Sequence, residues 1–220
     1  MSERMRWARA AGGAAAIAVL AAGCGSSLAS ETPSQVLAAA ISATKGATGY
    51  EVTATGDFPD GATSLDLKVV GANLTGSFEA AGLTIDIMRV AGNAYVRAPA
   101  AYYTSAGESS VRAAVLNNVW VEGTAGSKVA DDFSTLSALT DISADLSSAG
   151  TVSSGGTGTV DGQSVVILRA ADGSTVDIAG AGTAYPVQVR TDTAVYHLSG
   201  WNGVGTFTPP PNPIVIPSTS

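Results

Sequence analysis

One cysteine and one histidine occur in 220 residues, and each scarcity removes a class of chemistry. A lone cysteine, Cys24, cannot close an intramolecular disulfide, so the chain is not a stapled secreted scaffold. A lone histidine, His197, leaves no convergent set of His and Cys ligands for a metal. Charged residues make up only 13% of the chain, and the basic ones do not cluster. Neutralising a phosphate backbone requires clustered Lys and Arg, so nucleic acid is not an expected partner. Gly155-Gly156-Thr157-Gly158 lacks the Lys and following helix of a phosphate-binding loop and reads as a flexible turn or bulge. The neighbouring acids Asp131 and Asp132 would diverge on a helix, and near a helix start they suit its dipole. No Ser or Cys motif accompanies His197, whose alternation sets it with Val195 as a structural or surface residue. A hydrolase would have to rest on that one side chain. The chain is therefore not expected to be an enzyme, and no cofactor is expected.

Long apolar runs are also missing. Residues 10–22 are uncharged, small and aliphatic, but a membrane-crossing helix needs roughly 20 apolar residues. Behind Arg4, Arg6 and Arg9 this run fits the hydrophobic region of a signal peptide over residues 1–23. No twin-arginine pair precedes it, which points to ordinary Sec export. The run ends in Leu20-Ala21-Ala22-Gly23-Cys24, which resembles a bacterial lipobox, with Leu20 one position earlier than usual. Small neighbours let a thiol reach a phospholipid headgroup, and cleavage before Cys24 leaves a diacylglyceryl thioether at the new N-terminus. Two acyl chains, at about 0.8 kcal/mol per buried CH₂, anchor stably where one does not. The expected location is the extracytoplasmic face of a cell membrane.

Leaving out Arg4, Arg6, Arg9 and Glu3, eight basic and seventeen acidic residues remain, a net charge of −9. Such a domain is not held on anionic lipid by its charge, so the anchor would have to do so. Residues 24–32 form a short lipidated tether, 33–208 a single domain, and 209–220 a proline-rich tail. Thr32-Pro33-Ser34-Gln35 is a capping box with Pro at the first helical position. Val36, Leu37, Ala40, Ile41 and Thr44 follow at helical spacing, and Lys45-Gly46 closes the helix. Then come alternating strands: Tyr50/Val52/Ala54, Leu65/Leu67/Val69, Leu74/Gly76/Phe78, Leu83/Ile85/Ile87 and a short one over 94–97. A turn is expected at Pro59-Asp60-Gly61. Residues 99–118 read as short helices with Val111 and Val115 on one side. A strand follows at Trp120-Val121-Glu122. A helical stripe then runs through Phe133, Leu136, Leu139, Ile142 and Leu146. Strands return at 151–160, 164–169, 175–178, 186–190, 195–199 and 203–208. Asp161-Gly162 and Asp172-Gly173 supply hairpin turns. The prolines 209, 210, 211, 213 and 217 cannot pair centrally in a sheet. These elements make an α+β protein: an antiparallel sheet with one apolar face, on which the few helices pack. Asn73-Leu74-Thr75 has the form of a glycosylation acceptor, which in a bacterial lipoprotein arises by chance.

Three blocks, in order along the chain, carry a resemblance. The first is residues 92–103 (GNAYVRAPAAYY) with 118–121 (NVWV). The second is residues 160–166 (VDGQSVV). The third is residues 184–189 (AYPVQV) with Gly200-Trp201-Asn202 and Phe207. Behind a lipobox, this series resembles the actinobacterial LppX/LprG lipoproteins and, more distantly, the LolA/LolB lipoprotein carriers. The resemblance implies a strongly curved antiparallel β half-barrel with helices packed on its concave face. It also implies that the hollow between sheet and helices holds acyl chains of envelope lipids or of lipid-modified partners. The ligand would be an acylated lipid or glycolipid, with a membrane transporter as a further partner. The lining would then be Val52, Leu65, Leu67, Val69, Leu74, Phe78, Ile85, Ile87, Val176, Ile178, Val187 and Val189. Gly and Ala along these strands could leave room for a ligand or simply let helices pack closely. The alternative is a protein-interaction or sensor domain of the same fold, its concave face filled by its own helices. It would present Tyr102, Tyr103 or the proline tail. The anchor expectation is tested by Cys24→Ser in cells fed labelled palmitate. The parent chain should take up label and sediment with membranes, and the variant should do neither.

Overall fold

The first helix forms where its capping signals stand. A computed structural model describes residues 27–58, 61–123 and 141–216. The expectations on Cys24 and its signal, on Pro59-Asp60, on Asp131-Asp132, on Phe133, Leu136 and Leu139, and on Pro217 lie outside those residues. Helix α1 spans Pro33–Gly46. The Thr32 N–H donates to Gln35 Oε1 at 3.0 Å, and the Gln35 N–H returns to Thr32 Oγ1 at 3.4 Å. A cap of this kind is worth about 1 kcal/mol. Val36, Ala40 and Thr44 are the buried stripe, and the Thr44 hydroxyl closes onto the Ala40 carbonyl at 2.8 Å.

The described chain falls into two compact units. One takes residues 27–47 together with Ile142–His197; the other takes the described residues of 48–141 and 198–216. The second unit holds β1 (Tyr50–Gly56), β2 (Ala62–Val70), β3 (Asn73–Ala80), β4 (Leu83–Val90), β5 (Asn93–Arg97) and β6 (Val121–Gly123). Each pairs antiparallel with the next in sequence. Between β5 and β6 the chain forms α2 (Ala100–Ser105) and α3 (Ser110–Leu116), which pack together. The first unit holds α1, α4 (Ile142–Ser148), β7 (Ser153–Val160), β8 (Gln163–Arg169), β9 (Thr175–Ala179) and β10 (Pro186–Arg190). Strand β11 (Ala194–Ser199) belongs to it as far as His197. These strands are also consecutive antiparallel pairs. Helix α1 lies on α4 and β8.

Tight turns set the registers. Val160 faces Gln163 across Asp161 and Gly162, both at positive φ, the two-residue hairpin that the Asp-Gly pair announces. Two more such turns use Ala-Gly, with Ala81 at φ 51 and Ala91 at φ 53, values uncommon for alanine. The turn ends of β3 and β4 are tied down. Ala91 donates its N–H to Asn73 Oδ1 at 3.0 Å, and Arg89 Nε donates to the Ala72 carbonyl at 2.8 Å.

Two expectations change. Residues 203–208 are not a strand. Gly200 and Asn202 both take positive φ and turn the chain. Asn202 is fixed there by accepting the Thr48 N–H at 2.8 Å and donating its own to the Gly49 carbonyl at 2.8 Å. The tail instead contributes β12 (Ile214–Ile216), which pairs parallel with β6. Val111 and Val115 share a side of α3 as expected; that side is open, at 76% and 61% exposure, and Ala113 and Leu116 face inward.

Gly76 answers whether small strand residues leave room. Its φ is +153, and a Cβ built there would lie 2.0 Å from the Asp66 carbonyl oxygen and 2.9 Å from Leu67 Cα. The glycine serves close approach of β3 to β2, not open space. Gly76→Ala should cost more than about 1 kcal/mol, the excess expected where Ala meets an unfavourable backbone. A urea midpoint unchanged from the parent would disprove the close-approach reading.

Candidate ligand-binding faces and the anchor

The apolar residues of the second unit line up in rows across paired strands. One row runs Val52, Leu67, Gly76, Ile87, Val96, Val121 and Ile214. A second runs Ala54, Leu65, Phe78 and Ile85, and a third Tyr50, Val69 and Leu74. Alternation puts these rows on one face. Val52, Leu65, Leu67, Val69, Leu74, Ile85 and Ile87 are buried, and Phe78 is half-buried. Each fully buried aliphatic side chain contributes about 1.5–3 kcal/mol. Val96 and Val121 extend the middle row, an extension visible in the short strand's own alternation but not included in the expected lining.

The opposite face of this unit carries ion pairs beside the buried Tyr95, which meets Met88. Lys68 Nζ lies 3.1 Å from Glu51 Oε1, and Arg97 Nη2 lies 2.8 Å from Asp86 Oδ2. Both pairs are substantially exposed and worth about 0–1 kcal/mol each. Arg97 also stands over the Trp120 ring at 5.0 Å, a cation–π contact. Trp201 stacks on Tyr50 with ring centroids 4.8 Å apart.

The remaining four expected lining residues sit in the first unit, as a separate group. Val176 pairs with Val189, which pairs with Tyr196, and Leu168 meets Val176 from β8. Ile178 pairs with Val166 and Pro186. Val176, Ile178 and Val189 are buried. Val187 differs. A bulge between Pro186 and Gln188 leaves it without a partner on β9, and it is half-buried. Pro186 takes the place opposite Ile178 that simple alternation would have given to Val187. Leu168 and Tyr196, which complete the row, were not expected, since the expected lining took no residue from β8 or β11.

The other face of the first unit carries Ile167, Asp177, Gln188 and His197 in one row. Asp177 is 1% exposed, and its Oδ2 accepts from Arg190 Nη1 at 2.8 Å. A buried carboxylate with one paired oxygen is tolerable only while that guanidinium stays in place. Gln188 Nε2 lies 2.9 Å from His197 Nε2, and His197 Nδ1 lies 3.7 Å from Asp161 Oδ2. These neighbours supply no nucleophile for the histidine to activate. Among the described residues no three His, Cys, Asp or Glu side chains are grouped to hold a metal. No described helix is long and apolar enough to cross a membrane.

Two tyrosines stand at polar points within apolar surroundings. Tyr103 on α2 is 3% exposed, so it is not a presented residue, whereas Tyr102 is half-buried beside it with ring centroids 5.3 Å apart. Burial pushes the Tyr103 hydroxyl up to about 12, partly offset by the Ala98 backbone. Burial first, and then the Asp145 carboxylate, push Tyr196 up to about 12 as well.

Rows of apolar side chains on large antiparallel sheets, with few helices, define an α+β protein of a known kind. The chain shares its fold with two solved structures. LprF from Mycobacterium bovis superposes with a TM-score of 0.57 at 16% identity, over 81% of this chain and 96% of that one. The Mycobacterium tuberculosis lipoprotein LppX gives 0.50 at 18% identity, over 79% and 98%. This is the fold that the sequence blocks implied. No family model and no curated protein sequence matches the chain.

The tyrosines generate a pH prediction. Unfolded tyrosine ionises near 10, and both folded values lie near 12. The folded state therefore holds protons that the unfolded state gives up, so stability is full below pH 10 and falls from pH 10 towards 12. Urea midpoints measured across that window should drop for the parent and drop less for Tyr103→Phe or Tyr196→Phe. Equal slopes in all three proteins would contradict the burial argument.

Proposed function

We propose that this chain is a lipid-anchored envelope protein that binds and carries lipids or lipid-modified molecules. It acts without covalent chemistry, by burying acyl chains against apolar sheet faces. The carrying observation is the set of contiguous apolar rows in the second unit, on a fold shared with LppX and LprF. An acyl chain leaving a bilayer needs a dry apolar surface, and side chains from several adjacent strands provide one without a polar break. Cys24 carries the diacylglyceryl anchor in this reading and holds the protein at the extracytoplasmic face. A membrane transporter is the expected source or acceptor of cargo.

The reading is tested on residues 25–220, which lack the anchor, produced in an actinobacterial host. Mass spectrometry of organic extracts should recover a stoichiometric lipid. Phe78→Asp places a charge at a half-buried position on the apolar face, where the fold tolerates it better than at Leu67 or Ile85. It should lower uptake of a fluorescent fatty-acid probe at least about tenfold, equivalent to about 1.4 kcal/mol, with an unchanged circular dichroism spectrum. An empty protein that takes up no probe would sink the carrier reading.

One observation favours a second reading, a protein-interaction or sensor domain. Val111 and Val115 make an exposed apolar pair on α3. In-cell crosslinking from that helix to a single dominant protein, with no lipid recovered, would favour it.

A further inference from the structure

We infer that the β9–β10 loop of the first unit, with the helical turn ahead of α1, is the surface this protein lays against the lipid bilayer. The inference rests on the anchor at Cys24. Three residues separate Cys24 from Leu28, so Leu28 lies within about 14 Å of the anchored residue even when the chain is fully extended. Leu28 opens a short 3₁₀ turn, Leu28–Ser30, capped by the Ser27 hydroxyl. The Leu28 N–H donates to the Gly180 carbonyl at 3.4 Å, and the Glu31 N–H closes the turn onto the Leu28 carbonyl at 3.1 Å. The tether therefore ends on the loop that follows β9. A headgroup layer is roughly 5–7 Å deep on each side of the hydrocarbon, so the loop lies within reach of headgroups.

Composition fits that surface. From Ile178 to Val189 there is no charged residue, in a mature chain whose net charge is −9. Ala29, Ser30, Ala181, Gly182 and Thr183 are the exposed residues here, all small and uncharged. An acidic surface held this close to anionic lipid would be repelled, and the loop itself carries no charge; the exposed acid at this end of the sheet is Asp161, on the neighbouring β7–β8 turn. Glu31 is the first charge after the turn, and α1 then carries the chain about 21 Å along its own axis to Gly46. The β8–β9 turn at Ala171 stands at the other end of β9, about 17 Å from the loop.

The test uses the full chain, exported and lipidated, with one added cysteine. Thr183→Cys and Ala171→Cys are both exposed turn positions, and the alkylated Cys24 sulfur is closed to thiol reagents. Each is labelled with a thiol-reactive fluorophore and bound to phosphatidylcholine–phosphatidylglycerol vesicles containing a headgroup-nitroxide lipid. Quenching at Thr183→Cys should exceed that at Ala171→Cys at least threefold. Inserting about ten Gly and Ser residues before Ser27 adds a flexible reach of about 5–6 Å × √n for n residues, and should erase the difference. Vesicles that float with the protein but quench both labels equally would overturn the orientation alone, leaving the loop to a protein partner. A chain that does not float would overturn the anchor and the orientation together.

Discussion

Everything in the larger unit hangs on the registration of β2 against its two neighbours. Leu67 faces Val52 on one side and Gly76 on the other. A slip of one residue would send Asp66 and Lys68 into the apolar face and Leu65, Leu67 and Val69 into water. The register is pinned three ways: by apolar alternation, by the two-residue Gly71-Ala72 turn into β3, and by the contact at Gly76 that admits no side chain. Once β2 is fixed, β1, β3 and β4 follow. The continuity of the apolar rows is thus a property of one strand's placement, not of many separate choices.

Legibility followed the range of the interactions involved. Thr32 and Gln35 satisfy each other within one turn, so the helix start stood plainly in the sequence. Asp161-Gly162 needs only its own backbone preference, and its hairpin could be read directly. The Ala-Gly turns were less visible, because alanine at positive φ is imposed by the strands on either side and not chosen by the residue. The bulge at Val187 was hidden for the same reason: strict alternation looks identical with or without one extra residue. Residues 203–208 alternate like a strand but have no partner, since Asn202 is committed to Thr48 and Gly49. Val111 and Val115 carry helical spacing, yet spacing identifies a side of a helix without saying which side meets the core.

The expected lining illustrates the same limit at the level of the site. Periodicity placed its members on strand faces and anticipated burial for most of them. It could not show that eight belong to one compact unit and four to another, because that division depends on contacts distant in sequence. Nor could it distinguish a glycine that opens space from one that lets two backbones touch. At Gly76 the atoms around the missing Cβ make that distinction. The polar points are informative in the same way. Tyr103, Tyr196 and Asp177 are each buried, and Asp177 ties β9 to β10 through the Arg190 guanidinium where apolar packing alone would permit several arrangements.

Strand β12 has a consequence in time as well as in space. It is synthesised after the eleven other strands of the described residues, yet it covers the edge of β6 with a parallel pairing. During synthesis that edge stands with bare N–H and carbonyl groups until the proline stretch and β12 behind it have been made. Proline cannot donate a ladder hydrogen bond, so the stretch before β12 does not compete for the open edge while it waits. The segment thus acts as a late closure, and until it pairs the sheet can recruit a stranger's strand.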